Sequence, residues 1–227
     1  MNTLLKPLQV RETLLDKQVR TFTTRDFENI FRTSQTRAKY FLETQTDGGL
    51  LTRLKKGIYA LKTDLPSAEE IANSLYKPSY ISFDYALAYY GFIPEMPYAI
   101  TSATTKPTRD FIANNRGFSY FTIKPEAYKG YRLIKTTHRT SSKGENLYLS
   151  EMKSNAEVGS FLMAEPEKAL VDYLYFVSLG KKMLNDRLFI EPGTIDRDKL
   201  FEYARLYNRK SLIKLVERTL HDSQRHN

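Results

Sequence analysis

The chain is 227 residues long, 41% hydrophobic and 13% aromatic, which is apolar enough to offset chain entropy and excludes wholesale disorder. It has no Cys and only three His, His138, His221 and His226; this excludes disulfides and thiolate chemistry and argues against a metal centre or a His-based triad, so neither metal nor cofactor is expected. No apolar run approaches the roughly 18 residues of a membrane span, so no membrane partner is expected and the cytosol is the expected location, which leaves the net charge of +9 as the leading clue to a partner.

In chain order, the first helix starts near Lys6, with Pro7 suited to the first helical position, and places Val10 and Leu14 on one face. A second begins at Thr23 or Thr24 and carries Phe27, Ile30 and Phe31 at i, i+3 and i+4. Ser34 then caps a third. Its Ala38, Phe41, Leu42 and Gln45 fall on one side, and Thr36, Lys39, Tyr40 and Glu43 on the other. Gly48-Gly49 ends this helix, because glycine tolerates the left-handed backbone that a helix C-terminus favours. Leu50–Leu54 and Ile58–Leu61, joined by Lys55-Lys56-Gly57, read as a hairpin.

The apolar run then gives way to KTDLPS, and Ser67-x-x-Glu70 is a capping box that opens a new helix over 67–76. The boundary within Lys62–Ser67 divides the chain into domains of residues 1–63 and 64–227. After Pro78, Ser82 caps a helix whose Phe83, Ala86, Leu87 and Tyr90 share a face before Gly91. Strands are expected at Tyr98–Ala103, Phe118–Lys124, Tyr131–Lys135, Asn146–Leu149 and Val158–Met163. They predict an antiparallel sheet with flanking helices. Pro166 opens a helix to about Ser178 with Ala169, Leu170, Tyr173, Leu174 and Val177 as its buried stripe. Helices near Asp198–Tyr207 and Lys210–His221 finish the chain. The expected class is α+β.

The charge is not spread evenly. Residues 1–63 hold 12 Lys and Arg against 6 Asp and Glu, residues 64–196 hold 15 against 16, and residues 197–227 hold 8 against 4. Clustered cations are the footprint of a polyanion binder, since neutralising phosphates releases counterions. Helix, helix, helix, hairpin within some sixty residues is also the order of a winged helix-turn-helix, whose third helix enters the major groove while the hairpin lies against phosphate. On that reading Gln35, Thr36, Arg37, Lys39 and Tyr40 meet double-stranded DNA from the third helix, and Arg53, Lys55 and Lys56 from the wing. The competing account is an amphipathic helix with a wet outer face. Lys210, Lys214 and Arg218, at i, i+4 and i+8 opposite Leu212, Ile213, Val216 and Leu220, form a candidate second basic surface; a solvated face competes there too.

Three segments carry a family resemblance. GGLLTRLKKGIYAL (48–61), KPSYISFDYALAYYGFIPEMP (77–97) and AEPEKALVDYLYF (164–176) resemble, in the same order, the wing, post-linker and later-helix segments of AbiEi-type antitoxins of bacterial type IV toxin-antitoxin systems. The resemblance covers residues 20 to 178. It implies an autorepressor with an N-terminal winged helix-turn-helix on operator DNA with inverted repeats and a C-terminal antitoxicity domain. Its functional partner would be a nucleotidyltransferase-like toxin, with no stable direct complex expected. Some relatives are stand-alone regulators, so a winged-helix regulator that senses a ligand or partner through its second domain is the alternative.

An enzyme acting on nucleic acid is the third class considered, and the expectation is that the chain is not one. Glu165, Glu167, Lys168 and Asp172 resemble a catalytic cluster, but the first two sit in a first helical turn, where negative charge suits the dipole, and Lys168 and Asp172 are spaced as an i, i+4 ion pair. Phe83, Tyr85, Tyr89, Tyr90 and Phe92 have the spacing of a core face more than of a base-stacking platform.

Overall fold

The computed structural model describes residues 5–137 and 157–225; the expected strand at Asn146–Leu149 and the residues His138 and His226 lie outside these. The chain is α+β and divides into two compact units, Met1–Glu70 with Ile134–Phe161, and Ile71–Leu133 with Leu162–Asn227.

The first 61 residues run α1 (Pro7–Asp16), β1 (Phe22–Thr23), α2 (Thr24–Phe31), α3 (Gln35–Asp47), β2 (Leu51–Lys55) and β3 (Ile58–Leu61). The two-residue β1 has no sequence signature, yet it pairs antiparallel with β3 to give a sheet of order β1-β3-β2. Thr23 ends β1 and also caps α2 through a reciprocal box with Asp26, so the strand runs straight into the helix. Arg32 takes the left-handed conformation (φ 47°) and α3 starts three residues on, a tight helix-to-helix turn. Ser34 sits at the N-cap of α3, but its hydroxyl makes no capping bond. The α3 C-terminus closes as expected: Gly49 has φ +79° and the Leu50 N–H donates to the Gln45 carbonyl at 3.0 Å. Val10, Leu14, Phe22, Phe27, Leu42 and Leu61 fill the core, with the Phe27 ring stacked on Phe41 at 5.4 Å.

Arg20 ties the following connector to this unit. Its guanidinium donates to the Leu65 carbonyl at 2.6 Å and pairs with Asp64 and Glu70. Glu70 in turn accepts from the Ser67 N–H while donating its own N–H to the Ser67 hydroxyl, the capping box that the sequence predicts.

The remaining elements are α4 (Ala68–Leu75), β4 (Ser79–Ile81), α5 (Phe83–Tyr89), β5 (Ile100–Thr104), β6 (Arg109–Ala113), β7 (Arg116–Thr122), a 3-10 turn (Pro125–Ala127), β8 (Tyr131–Thr137), β9 (Glu157–Ala164), α6 (Pro166–Ser178), α7 (Arg197–Leu206) and α8 (Lys210–Arg225). The sheet, of order β6-β7-β5-β4-β9-β8, is mixed and not antiparallel as expected. β5 and β7 are parallel, as are β4 and β9. Two strands missed in the sequence account for this. β6 takes the chain out to the sheet edge and returns it as β7 between β6 and β5, while β4 lies between β5 and β9. All three β4 residues are buried, so the strand shows no alternation to read.

Candidate nucleic-acid interface

Helix α3 divides its 13 residues sharply. Ala38, Phe41 and Leu42 are buried, while Gln35, Thr36, Arg37, Lys39, Tyr40 and Glu43 are exposed, Tyr40 at 73%. Among the described residues, none of Gln35, Thr36, Arg37, Lys39 or Tyr40 has a side-chain hydrogen bond or ion pair, so their donors and acceptors face only solvent.

The hairpin supplies the second part. Lys55 and Ile58 are paired across a two-residue turn, Lys56-Gly57, with Gly57 at φ +80°. The register shifts between Arg53 and Lys55, which is a β-bulge; bulges bend a strand and re-aim its side chains. Arg53 and Lys56 are exposed and Lys55 half-buried, while Leu51, Leu54 and Tyr59 anchor the hairpin in the core. Both sequence-predicted groups therefore stand on one folded unit, one on a helix and the other on a hairpin. Lys210, Lys214 and Arg218 are likewise exposed along α8, with Leu212, Val216 and Leu220 buried. Lys210 and Lys214 have no ion-pair partner among the described residues, whereas Arg218 lies 3.5 Å from Asp222.

The acidic cluster of α6 resolves differently. Lys168 and Asp172 do form the i, i+4 pair, but both side chains are 0% exposed. The Asp172 carboxylate also accepts from the hydroxyls of Tyr80 (3.0 Å), Ser82 (2.7 Å) and Tyr207, and Lys168 donates to the Tyr207 oxygen at 3.2 Å. The Lys168 ammonium lies over the Tyr80 and Tyr207 rings at 5.7 and 5.0 Å. Burial pulls the Lys168 pKa down, against the raising effect of Asp172, and pushes the Tyr80 and Tyr207 phenols well up, with Asp172 adding to the shift. The polar groups of this site satisfy one another through these hydrogen bonds. Ser82, expected to cap α5, spends its hydroxyl on Asp172 and makes no capping bond. The buried surface of α6 also extends beyond the expected stripe, taking in Glu167, Lys168 and Asp172 and leaving Val177 half-buried.

Glu165 and Glu167 hold α7 and its approach. The Tyr203 hydroxyl donates to Glu165 at 2.7 Å and the Lys199 ammonium at 2.6 Å, while Glu167 accepts the Asp196 N–H at 3.0 Å. Burial raises the Glu165 pKa, but these two donors outweigh it and the net direction is down. Of the aromatic run, Phe83, Tyr85 and Phe92 are buried and only Tyr89 is exposed, as a core face requires. Among the described residues no group of His, Asp and Glu is placed to hold a metal, and no helix is long and apolar enough to cross a membrane.

No protein-family model matches the chain, and no curated protein matches it. The chain is an α+β protein with a small unit of three helices and a three-stranded sheet and a larger unit built on a mixed sheet.

Proposed function

We propose that this protein is a sequence-specific DNA-binding antitoxin and autorepressor of a type IV, AbiE-like toxin-antitoxin operon. The observation that carries the DNA-binding part is the bare face of α3, where Gln35, Thr36, Arg37, Lys39 and Tyr40 project unpartnered from a helix anchored by Ala38, Phe41 and Leu42. The order α1-β1-α2-α3-β2-β3, with β1 closing a three-stranded sheet, supports reading this unit as a winged helix-turn-helix. In such a domain α3 reads base edges, and Arg53, Lys55 and Lys56 meet phosphate from the wing. The antitoxin part rests on the three sequence segments alone; the functional partner it names is a nucleotidyltransferase-like toxin countered without a stable complex. Non-enzymatic action accords with an α6 cluster whose charged groups are consumed by one another.

The test is binding of the protein to its own promoter fragment against random DNA. Alanine at Thr36, Lys39 and Tyr40 is expected to erode the promoter preference by about 1–3 kcal/mol per good contact while leaving affinity for random DNA nearly intact. Equal losses on both DNAs would reassign α3 from reading to positioning. Co-expression with the neighbouring gene product tests antitoxicity separately.

A further inference from the structure

The β6–β7 hairpin ends the six-stranded sheet on an open edge. Its turn is Asn114-Asn115, both at positive φ (46° and 58°), the two-residue connection that makes the flanking Ala113 and Arg116 a hydrogen-bonded pair. From there the antiparallel ladder alternates. Phe111↔Phe118 and Arg109↔Tyr120 exchange hydrogen bonds, whereas Asp110, opposite Ser119, and Ile112, opposite Gly117, turn their N–H and C=O groups to the open side. Neither residue has a backbone or side-chain partner beyond the ladder among the described residues. Ile112 is 84% exposed. The residue across from it is glycine, where a Cβ would come 3.3 Å from that of Ala99, so β7 offers Ile112 no side chain to pack on.

From this edge we infer that two copies of the chain associate by antiparallel pairing of their β6 strands about a twofold axis at Phe111. Strand β6 is five residues long and Phe111 is its midpoint. A twofold there sets Asp110 of each copy opposite Ile112 of the other. Both are outward-facing residues, so the two strands are coextensive and every free N–H and C=O of either edge is paired, in four hydrogen bonds. A longer strand from another protein would overrun the Asn114-Asn115 turn at one end and Pro107 at the other, where the ladder stops. Pairing also covers the exposed Ile112, which lies beside the partner's Asp110 and diagonal to the second Ile112. The inference stands on the sheet and is independent of the DNA-binding reading.

Sedimentation of the full chain over a concentration series tests it, with circular dichroism and melting temperature as controls for folding. The wild type is expected at twice the chain mass of 26.4 kDa. Ile112→Asp places like charges opposite each other in this register and is expected at single mass, whereas Ile112→Lys places a cation opposite Asp110 and is expected to stay at double mass. A wild type that remains single at every concentration leaves the edge for another chain's strand and overturns the proposal. So does an Ile112→Asp variant that still doubles, or an Ile112→Lys variant that does not, because either result denies the register. Binding of promoter DNA by the Ile112 variants is read separately, so failure of the DNA reading leaves this result standing.

Discussion

Helices α3 and α6 are both 13 residues long and both carry lysine, acid and tyrosine, yet they use them in opposite ways. On α3, Lys39 and Tyr40 project into solvent with no partner among the described residues; on α6, Lys168 and Asp172 are sealed with Tyr80, Ser82 and Tyr207. Residue type alone does not separate an exposed polar face from a structural knot. What separates them is whether the rest of the chain delivers partners. Tyr80 from the middle of β4 and Ser82 from just after it arrive from some ninety positions away, and Tyr207 from the end of α7. Among the described residues nothing distant arrives over the polar face of α3, which stays exposed.

The largest expected effect comes from opening the knot. Asp172→Ala removes the acceptor of three hydroxyls and leaves the Lys168 ammonium buried without its counter-charge, which is expected to cost about 3–5 kcal/mol. Lys168→Met is expected to cost less. The carboxylate keeps its three hydroxyl donors, and the lowered pKa of Lys168 means that its charged form is itself an unfavourable burial that the substitution relieves. Denaturant midpoints measure both. If Lys168→Met is the more damaging of the two, the hydroxyls do not support Asp172 in the way the geometry implies.

The comparison is sharpened on the other side at the wing, where the effect concerns binding and not folding. Replacing Arg53, Lys55 and Lys56 by alanine should leave the melting temperature nearly unchanged, since their neighbours Leu51, Leu54 and Tyr59 hold the hairpin. Affinity for every DNA sequence should fall, and the slope of log K against log salt should flatten by about one unit per lost phosphate contact. A salt titration with an unaltered slope would take the wing out of the interface.

Much of the small unit is legible in the sequence, because its signals are local. Pro7, the Thr23 cap, the 3.6-residue spacing of Phe27, Ile30 and Phe31, and Gly48-Gly49 each act within a turn of where they stand. The larger unit is less legible. Ser79-Tyr80-Ile81 is three residues between Pro78 and Ser82, too short and too uniformly buried to show a period. The edge strand Arg109–Ala113 begins with two charges and has only two buried or half-buried positions, so it does not look like a sheet member. Lys168 and Asp172 advertise their pairing by spacing, but their burial depends on Tyr80, Ser82 and Tyr207, which no local pattern connects to them. The parallel strand pairs that make the sheet mixed depend on these same missed elements.

The smallest effect is expected on α8. Lys210, Lys214 and Arg218 repeat every four residues, about 6 Å apart along the axis at 1.5 Å per residue, so they resemble the charged face of α3 more than the knot of α6. Two features weaken them as a second polyanion surface. Arg218 is engaged with Asp222, and exposed Glu217 interrupts the positive run. Lys210 moreover stands in the first turn of its helix, where the dipole disfavours a cation; Lys210→Glu alone is therefore expected to raise stability slightly, by a few tenths of a kcal/mol at low salt. Charge reversal at all three positions is expected to leave promoter affinity and rescue from the toxin unchanged, which a long promoter fragment and a co-expression assay measure. A loss of affinity on the long fragment but not on a short one would mean that α8 touches flanking DNA, and the contrast between a DNA-reading α3, as proposed, and a merely solvated α8 would have to be given up.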